Sequence, residues 1–190
     1  MEKADIYDKA FEQQDFTKVP LAPGEYEKCS FINCDFSSAD LSHVYFTDAQ
    51  FTDCNISNAK FHDTAFRNVT FTGCKMLGLH FENCNPFLLE LNFDHCTLNH
   101  SSFYQLKIKK TGFNHCTLQE VDFTQADLSN ASFAHSDLSG AIFDQSILEQ
   151  ADFRNAQHYI INPEINRIKK AKFSSDALAG LLNQYGIVIS

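Results

Sequence analysis

The chain has 190 residues, of which 44% are hydrophobic and 21% charged, and its formal net charge at pH 7 is -9. That is enough apolar material for one substantial core in a domain of ordinary charge. Its acidity repels phosphate backbones and suits basic clefts, which disfavours direct nucleic-acid binding and points instead to a nucleic-acid-binding protein as partner.

Residues 1–25 read as an N-terminal cap. Phe11, Phe16 and Leu21 are spaced by five, but Pro20 and Pro23 interrupt the regularity. From there every fifth residue is bulky and apolar: Tyr26, Phe31, Phe36, Leu41, Phe46, Phe51, Ile56, Phe61, Phe66, Phe71, Met76 and Phe81. These twelve units form a first segment over 26–85. Phe81 to Phe93 is twelve residues where ten would keep phase, so 86–92 reads as a hinge or bulge. Pro86 cannot donate to a ladder, and the apolar run after it is either a defect between two fitted halves or an exposed partner contact around Phe87 and Leu88.

Thirteen further units occupy a second segment over 93–173: Phe93, Leu98, Phe103, Ile108, Phe113, Leu118, Phe123, Leu128, Phe133, Leu138, Phe143, Leu148 and Phe153. Residues 154–172 look like an irregular final coil, since Ile168 and Phe173 return to phase. In 174–190, Ser174 or Ser175 can cap an α-helix over 176–184 that stops at Gly186. Leu178, Leu181, Leu182 and Tyr185 give it an apolar face, which covers the last coil or meets another copy.

A period of five fits neither the 3.6 of a helix nor the 2.0 of a flat strand, so the backbone must bend between short extended pieces. Two positions before each central residue sits a smaller one, such as Cys34, Ala39, Cys54, Ala126 or Ser136, and the remaining positions carry turn residues. Units such as Ala39-Asp40-Leu41-Ser42-His43 and Ala126-Asp127-Leu128-Ser129-Asn130 resemble the consensus of the pentapeptide-repeat family. The resemblance implies an all-β fold, a right-handed quadrilateral β-helix with four units per coil. Its 25 units make roughly six coils, or a rod about 30 Å long.

Sorting the second segment by a twenty-residue coil gives columns. Phe93, Phe113, Phe133 and Phe153 stack on one side and Phe103, Phe123 and Phe143 on the opposite side, with Leu and Ile columns between them. The seven cysteines fall at small inward positions and contain no C-x-x-C pair, so they read as core filler. His95, His115 and His135 stack outside the shaft. They could bind a metal such as zinc or nickel, but with no carboxylate in evidence to orient them solvated turn residues are the preferred reading, and no metal or cofactor is expected. There is no nucleophile elbow, HExxH or phosphate-binding glycine loop, so an enzyme is not expected.

Between 112 and 152 lie Glu120, Asp122, Asp127, Asp137, Asp144, Glu149 and Asp152 without any Lys or Arg, which makes these seven the candidate partner-facing acids. By phase they fall on all four sides. The Met1-Glu2-Lys3-Ala4-Asp5 start has no signal-like apolar stretch and no segment is long enough to span a bilayer, so a cytoplasmic protein without membrane contact is expected. Length, near-central hinge, acidity and the ending from Ala177 to Ile189 are similar to the Qnr and MfpA branch of the family, which is associated with quinolone resistance. That similarity implies a DNA mimic that dimerises through its C-terminal end, where Leu178, Leu181, Leu182 and Tyr185 lie, and binds DNA gyrase or topoisomerase IV. The alternative is an interaction scaffold for another protein partner.

Overall fold

A chain that turns a corner every five residues needs one left-handed backbone position per corner. Asn, Asp, His and Gly tolerate that conformation best. The computed structural model describes residues 4–188, so residues 1–3 of the expected cap and 189–190 of the expected tail lie outside the described residues. Two positions after the central residue the backbone is left-handed, as at Ser38 (φ 57°), Gln105 (φ 59°), Asn130 (φ 62°) and Gly140 (φ 70°), with Asn83 after Phe81 an exception that lies in a 3-10 turn. The turn residues of the repeat therefore set the corners, and its apolar residues fill the space those corners enclose.

The strands in chain order are β1 (Ala4–Tyr7), β2 (Ala10–Glu12), β3 (Gly24–Glu27), β4 (Ser30–Ile32), β5 (Val44–Thr47), β6 (Gln50–Thr52), β7 (Ala65–Arg67), β8 (Val69–Thr72), β9 (Leu91–Asp94) and β10 (Phe113–Asn114). All pairings are parallel. One side stacks β1-β3-β5-β7, and the next stacks β2-β4-β6-β8-β9-β10. The other two sides pair through single bridges such as Asp35 with Asn55 and Asp40 with Lys60. Partners are twenty residues apart, as Phe31 with Phe51, so four sides close one coil and the fold is a right-handed quadrilateral β-helix.

Regular pairing starts earlier than the expected boundary at Tyr26, because β1 and β2 lie in register on β3 and β4. Pro23 fits at the corner before β3, where its carbonyl accepts from the Ala4 N–H at 3.0 Å. Gly24 (φ 152°) permits the close approach: a Cβ there would lie 2.1 Å from the Ala4 carbonyl oxygen.

The two extra residues are absorbed on one side only. Asn85 and Glu90 still donate to the Thr64 and Phe66 carbonyls at 2.9 and 3.0 Å. The chain between them bulges outward, with Leu88 left-handed (φ 57°). The β1-β3-β5-β7 ladder stops there and its side resumes with Lys107 paired to Asp127. The adjoining side continues with a step of 22, Phe71 opposite Phe93, and the pairing of β9 begins at Leu91, inside the expected 86–92 hinge.

The core is one continuous apolar shaft. Phe93, Phe113, Phe133 and Phe153 stack at 5.1, 5.2 and 4.7 Å between ring centroids. The opposite column, Phe103, Phe123 and Phe143, meets them edge to face, for example Phe103 on Phe113 at 5.5 Å and 83°.

All seven cysteines are buried and free, and for all but Cys84 the role exceeds filling. Where the corner lacks its own backbone turn bond, the thiol supplies one between coils: the Cys34 N–H donates to Cys54 Sγ at 3.4 Å, and that thiol donates to the Phe31 carbonyl at 3.3 Å. Ser136 does the same one column-step above Cys116, with bonds of 2.9 and 2.8 Å. Burial raises the thiol pKa of Cys29 and Cys34, which keeps these groups neutral donors, and also that of Cys84.

The C-terminal segment is helical, but it is 3-10 helix over Ser175–Leu181 and Asn183–Tyr185 instead of the expected α-helix. A segment this short is marginal as an α-helix, and its path is fixed by Gly180. The Gly180 carbonyl accepts from the Ile161 N–H at 3.0 Å, and a Cβ there would lie 2.1 Å from the Tyr159 carbonyl oxygen. Gly186 ends it at φ 60°, as expected. Ala177 and Leu181 pack on the core and close the shaft. Among the described residues no helix is long and apolar enough to cross a membrane.

Candidate interaction surfaces

The recurring acid one position before the central residue has a local task. Its carboxylate accepts from the N–H two residues on, fixing the corner. Asp122 does so with Thr124 at 2.8 Å, Asp127 with Ser129 at 3.2 Å, Asp137 with Ser139 at 3.1 Å and Asp152 with Arg154 at 3.1 Å. Four of the seven candidate acids are thereby engaged in their own turns. Asp127 also meets Lys109 at 3.1 Å, Asp152 meets Arg154 at 2.7 Å, Glu149 meets Arg167 at 2.7 Å and Glu120 meets His100 at 3.3 Å. Burial alone would raise the Asp137 carboxyl, but hydrogen bonds from Ser139, Gln119 and His158 outweigh it and hold the group well below the usual carboxylate range. For Asp127 the same opposition is won by Ser129 and Lys109. At Asp152 the Arg154 side chain is the main lowering influence.

The seven do not form a stripe. Asp122 pairs with Ser102 and Ile142, Asp127 with Lys107 and Ile147, Asp137 with Thr117 and Gln157, and Asp152 with Ser132 and Lys172, each on a different side. Above and below every one of these acids stands a neutral or basic residue. Among the described residues the Asp144 carboxylate has no hydrogen-bond or ion-pair partner, which leaves it the freest of the set.

A second surface, partly anticipated in the sequence, is built by the bulge. Phe87 and Leu88 are both 64% exposed. Arg67, one coil below, holds its guanidinium 6.0 Å from the Phe87 ring centroid, within range of a cation–π contact. Leu88, Leu89 and Leu91 share a groove with Lys107, Lys109 and Lys110. Counting charges along the chain misses this setting, because Arg67 and the three lysines reach the bulge from neighbouring coils only when the coil period of 20, shifted to 22 at the hinge, is applied.

The terminal segment offers a third surface. Leu178 and Tyr185, at 43% and 52% exposure, face outward together with Ile187, whereas Leu181 and Leu182 are half-buried. The four residues expected to form one face are therefore divided between capping and solvent. The histidines of the predicted column occupy the left-handed corners, with His95, His115 and His135 at φ 54°, 53° and 59°. Their rings stack at 4.6 and 4.9 Å. A carboxylate, unforeseen in the sequence, does face them: Asp94 lies 3.1 Å from His95 Nδ1.

With coils, corners and column chemistry in view, the comparison with known families is decisive: a model described as the pentapeptide repeat region matches residues 25–86 and 79–153. The chain belongs to the pentapeptide-repeat family. No curated protein sequence matches it. Among solved structures, this pentapeptide-repeat protein is similar to a trypsin-treated variant of QnrB1, a plasmid-mediated fluoroquinolone resistance protein, with 20% identity, 97% and 99% of the two chains covered and a TM-score of 0.46. It is also similar to HetL, involved in heterocyst differentiation regulation in the cyanobacterium Nostoc sp. strain PCC 7120, with 13% identity, 87% and 84% coverage and a TM-score of 0.49. The family assignment rests on the repeat match over 25–153.

Proposed function

We propose that this pentapeptide-repeat protein is a non-enzymatic rod that works by binding another protein, with the bulge as a principal contact. The observation that carries this reading is the exposed pair Phe87 and Leu88, projecting from coils whose outward positions are otherwise mostly polar. Apolar tips bordered by charge are characteristic of protein-binding surfaces.

Within that reading the partner we favour is a type II topoisomerase, DNA gyrase or topoisomerase IV, engaged where duplex DNA would lie and altering quinolone sensitivity. The net charge of -9 and the absence of Lys and Arg between 112 and 152 favour it, since an acidic rod is drawn to a basic DNA-binding cleft. The partner-facing acids would then be those with least internal engagement, Asp144 first. At micromolar protein, gyrase supercoiling is expected to be inhibited, or protected from a quinolone, and Phe87→Ser with Leu88→Ser is expected to weaken the effect. Absence of both inhibition and protection would exclude the topoisomerase and leave the rod with a different protein partner.

The exposed Leu178, Tyr185 and Ile187 support a homodimer formed through the C-terminal end, in keeping with the apolar surface they leave uncovered. Light scattering is expected to give twice the 21.6 kDa of one chain, and Leu178→Asp to return the mass to a single chain. Leu178 suits this test better than Leu181, which packs on its own core. A parent mass of one chain would exclude the dimer.

A further inference from the structure

Most of the ion-paired histidines on this surface have a carboxylate to themselves. His43 faces Asp63, His80 faces Glu82, His100 faces Glu120 and His158 faces Asp137. Among the described residues only Asp94 is shared by two: its Oδ2 lies 3.1 Å from His95 Nδ1 and its Oδ1 lies 3.7 Å from His115 Nδ1. One ligand atom from each of Asp94, His95 and His115 falls within 4.8 Å of the others.

We propose that Asp94, His95 and His115 form a surface site for a late first-row divalent cation, with zinc, nickel or copper the fitting class. Two imidazoles and one carboxylate are the donor set these metals prefer, whereas magnesium and calcium select oxygen ligands. The scaffold holds the backbone of the two ligand corners at a fixed separation. His95 and His115 occupy equivalent corners one coil apart, and each backbone N–H is tied to the next coil, His95 to the Asn114 carbonyl at 3.0 Å and His115 to the Ala134 carbonyl at 2.9 Å. The two rings lie parallel, 5° apart. Zinc–nitrogen bonds of about 2.0–2.1 Å put tetrahedral donors about 3.4 Å apart, and parallel rings point their lone pairs side by side, so at least one imidazole must turn toward the other to share an ion. Both imidazoles are exposed and can make that turn by side-chain rotation without moving the coil.

His135 stacks on His115 at 4.9 Å but stands outside the three-ligand group. It is a neighbour, and the fourth coordination position is left to water. Because the imidazoles must be neutral to ligate, binding releases protons and weakens in acid.

The test uses the full chain carrying no histidine tag, freed of metal with a chelator and titrated calorimetrically with zinc and separately with nickel. One equivalent is expected to bind. His95→Ala, His115→Ala and Asp94→Asn are each expected to lose about tenfold or more in affinity, while His135→Ala changes it by less than about threefold. Cobalt substitution provides a second readout: ligand-field bands without a thiolate charge-transfer band place the metal at this site and not among the buried cysteines. Thermal melts equal to the parent confirm that the exposed-site variants fold. Absence of binding by the parent overturns the proposal, as does binding that survives the His95→Ala, His115→Ala double variant or shows a thiolate band.

Discussion

Phe113→Ala is expected to lower stability by about 3–5 kcal/mol. Phe113 is fully buried at a crossing of both aromatic columns. It stacks on Phe93 at 5.1 Å and Phe133 at 5.2 Å and meets Phe103 and Phe123 edge to face at 5.5 and 5.6 Å. Removing the ring takes a partner from four others at once. The coils cannot fall inward to fill the gap, because each is bonded to the coils above and below: the Phe113 N–H donates to the Ser132 carbonyl at 2.7 Å, and the Phe93 N–H to the Gly112 carbonyl at 2.8 Å. For a domain of this length the loss corresponds to a melting temperature lower by roughly 6–20 °C. Phe113→Leu keeps most of the apolar volume and is expected to cost less than half as much. A measured loss below about 1 kcal/mol for the alanine variant would show that the shaft collapses around the gap, contrary to the rigid ladder described above.

Deleting a whole coil is expected to do far less damage than deleting one residue from it. Without residues 113–132, Gly112 joins Phe133. Since Gly112 and Ser132 are already bridge partners on neighbouring rungs, everything beyond drops by one rung of about 4.8 Å. Every column keeps its kind: Phe133 comes to lie over Phe93, Leu138 over Leu98, and His135 takes the rung of His115 beside Asp94. Repeat solenoids tolerate such loss because each rung interacts with its neighbours only.

Deletion of Asn130 alone removes one left-handed corner (φ 62°) and shifts every later residue by one. The insertion at Pro86 shows that a surplus can bulge outward, but a five-residue side has no slack to make up a deficit. Phe133, Leu138, Phe143, Leu148 and Phe153 would leave the shaft, at about 1.5–3 kcal/mol each. The sum is comparable to the whole stability of a domain, about 5–15 kcal/mol. Chromatography and thermal melts should therefore show a shorter, cooperatively folding protein for the coil deletion and an unfolded or aggregated one for the single deletion. Equal melting of the single-residue variant and the parent would show that phase is not what holds the rod together.

How much of this could be read in advance follows from what the repeat encodes. The period of five located the cysteine positions and the hinge, and the resemblance of its units to the pentapeptide-repeat consensus supplied the β-helix and, with it, the four columns. A residue's phase decides whether it points into the shaft, and phase is visible in the chain. The same rule assigned the acids to four sides. That Asp122, Asp127, Asp137 and Asp152 would be held in their own turns follows from the turn chemistry of aspartate.

Other features depended on distances between coils. The type of the terminal helix could not be read, because the spacing of Leu178, Leu181 and Leu182 suits either helix and the close approach of Gly180 to Tyr159 lies across a coil. The early start of the ladder at Ala4 was hidden by Pro20 and Pro23, neither of which ends the coil, Pro23 sitting at the corner before β3. The bonding role of the cysteines, the basic setting of Phe87 and Leu88, and the sharing of Asp94 between His95 and His115 join residues about twenty apart. The sequence by itself determined which residues face in and which face out, since that is a one-dimensional property of phase. Only the tertiary structure decided which outward groups touch, because contact between coils depends on rotamers, on the two-residue bulge and on the 3.1–3.7 Å distances that stacking creates.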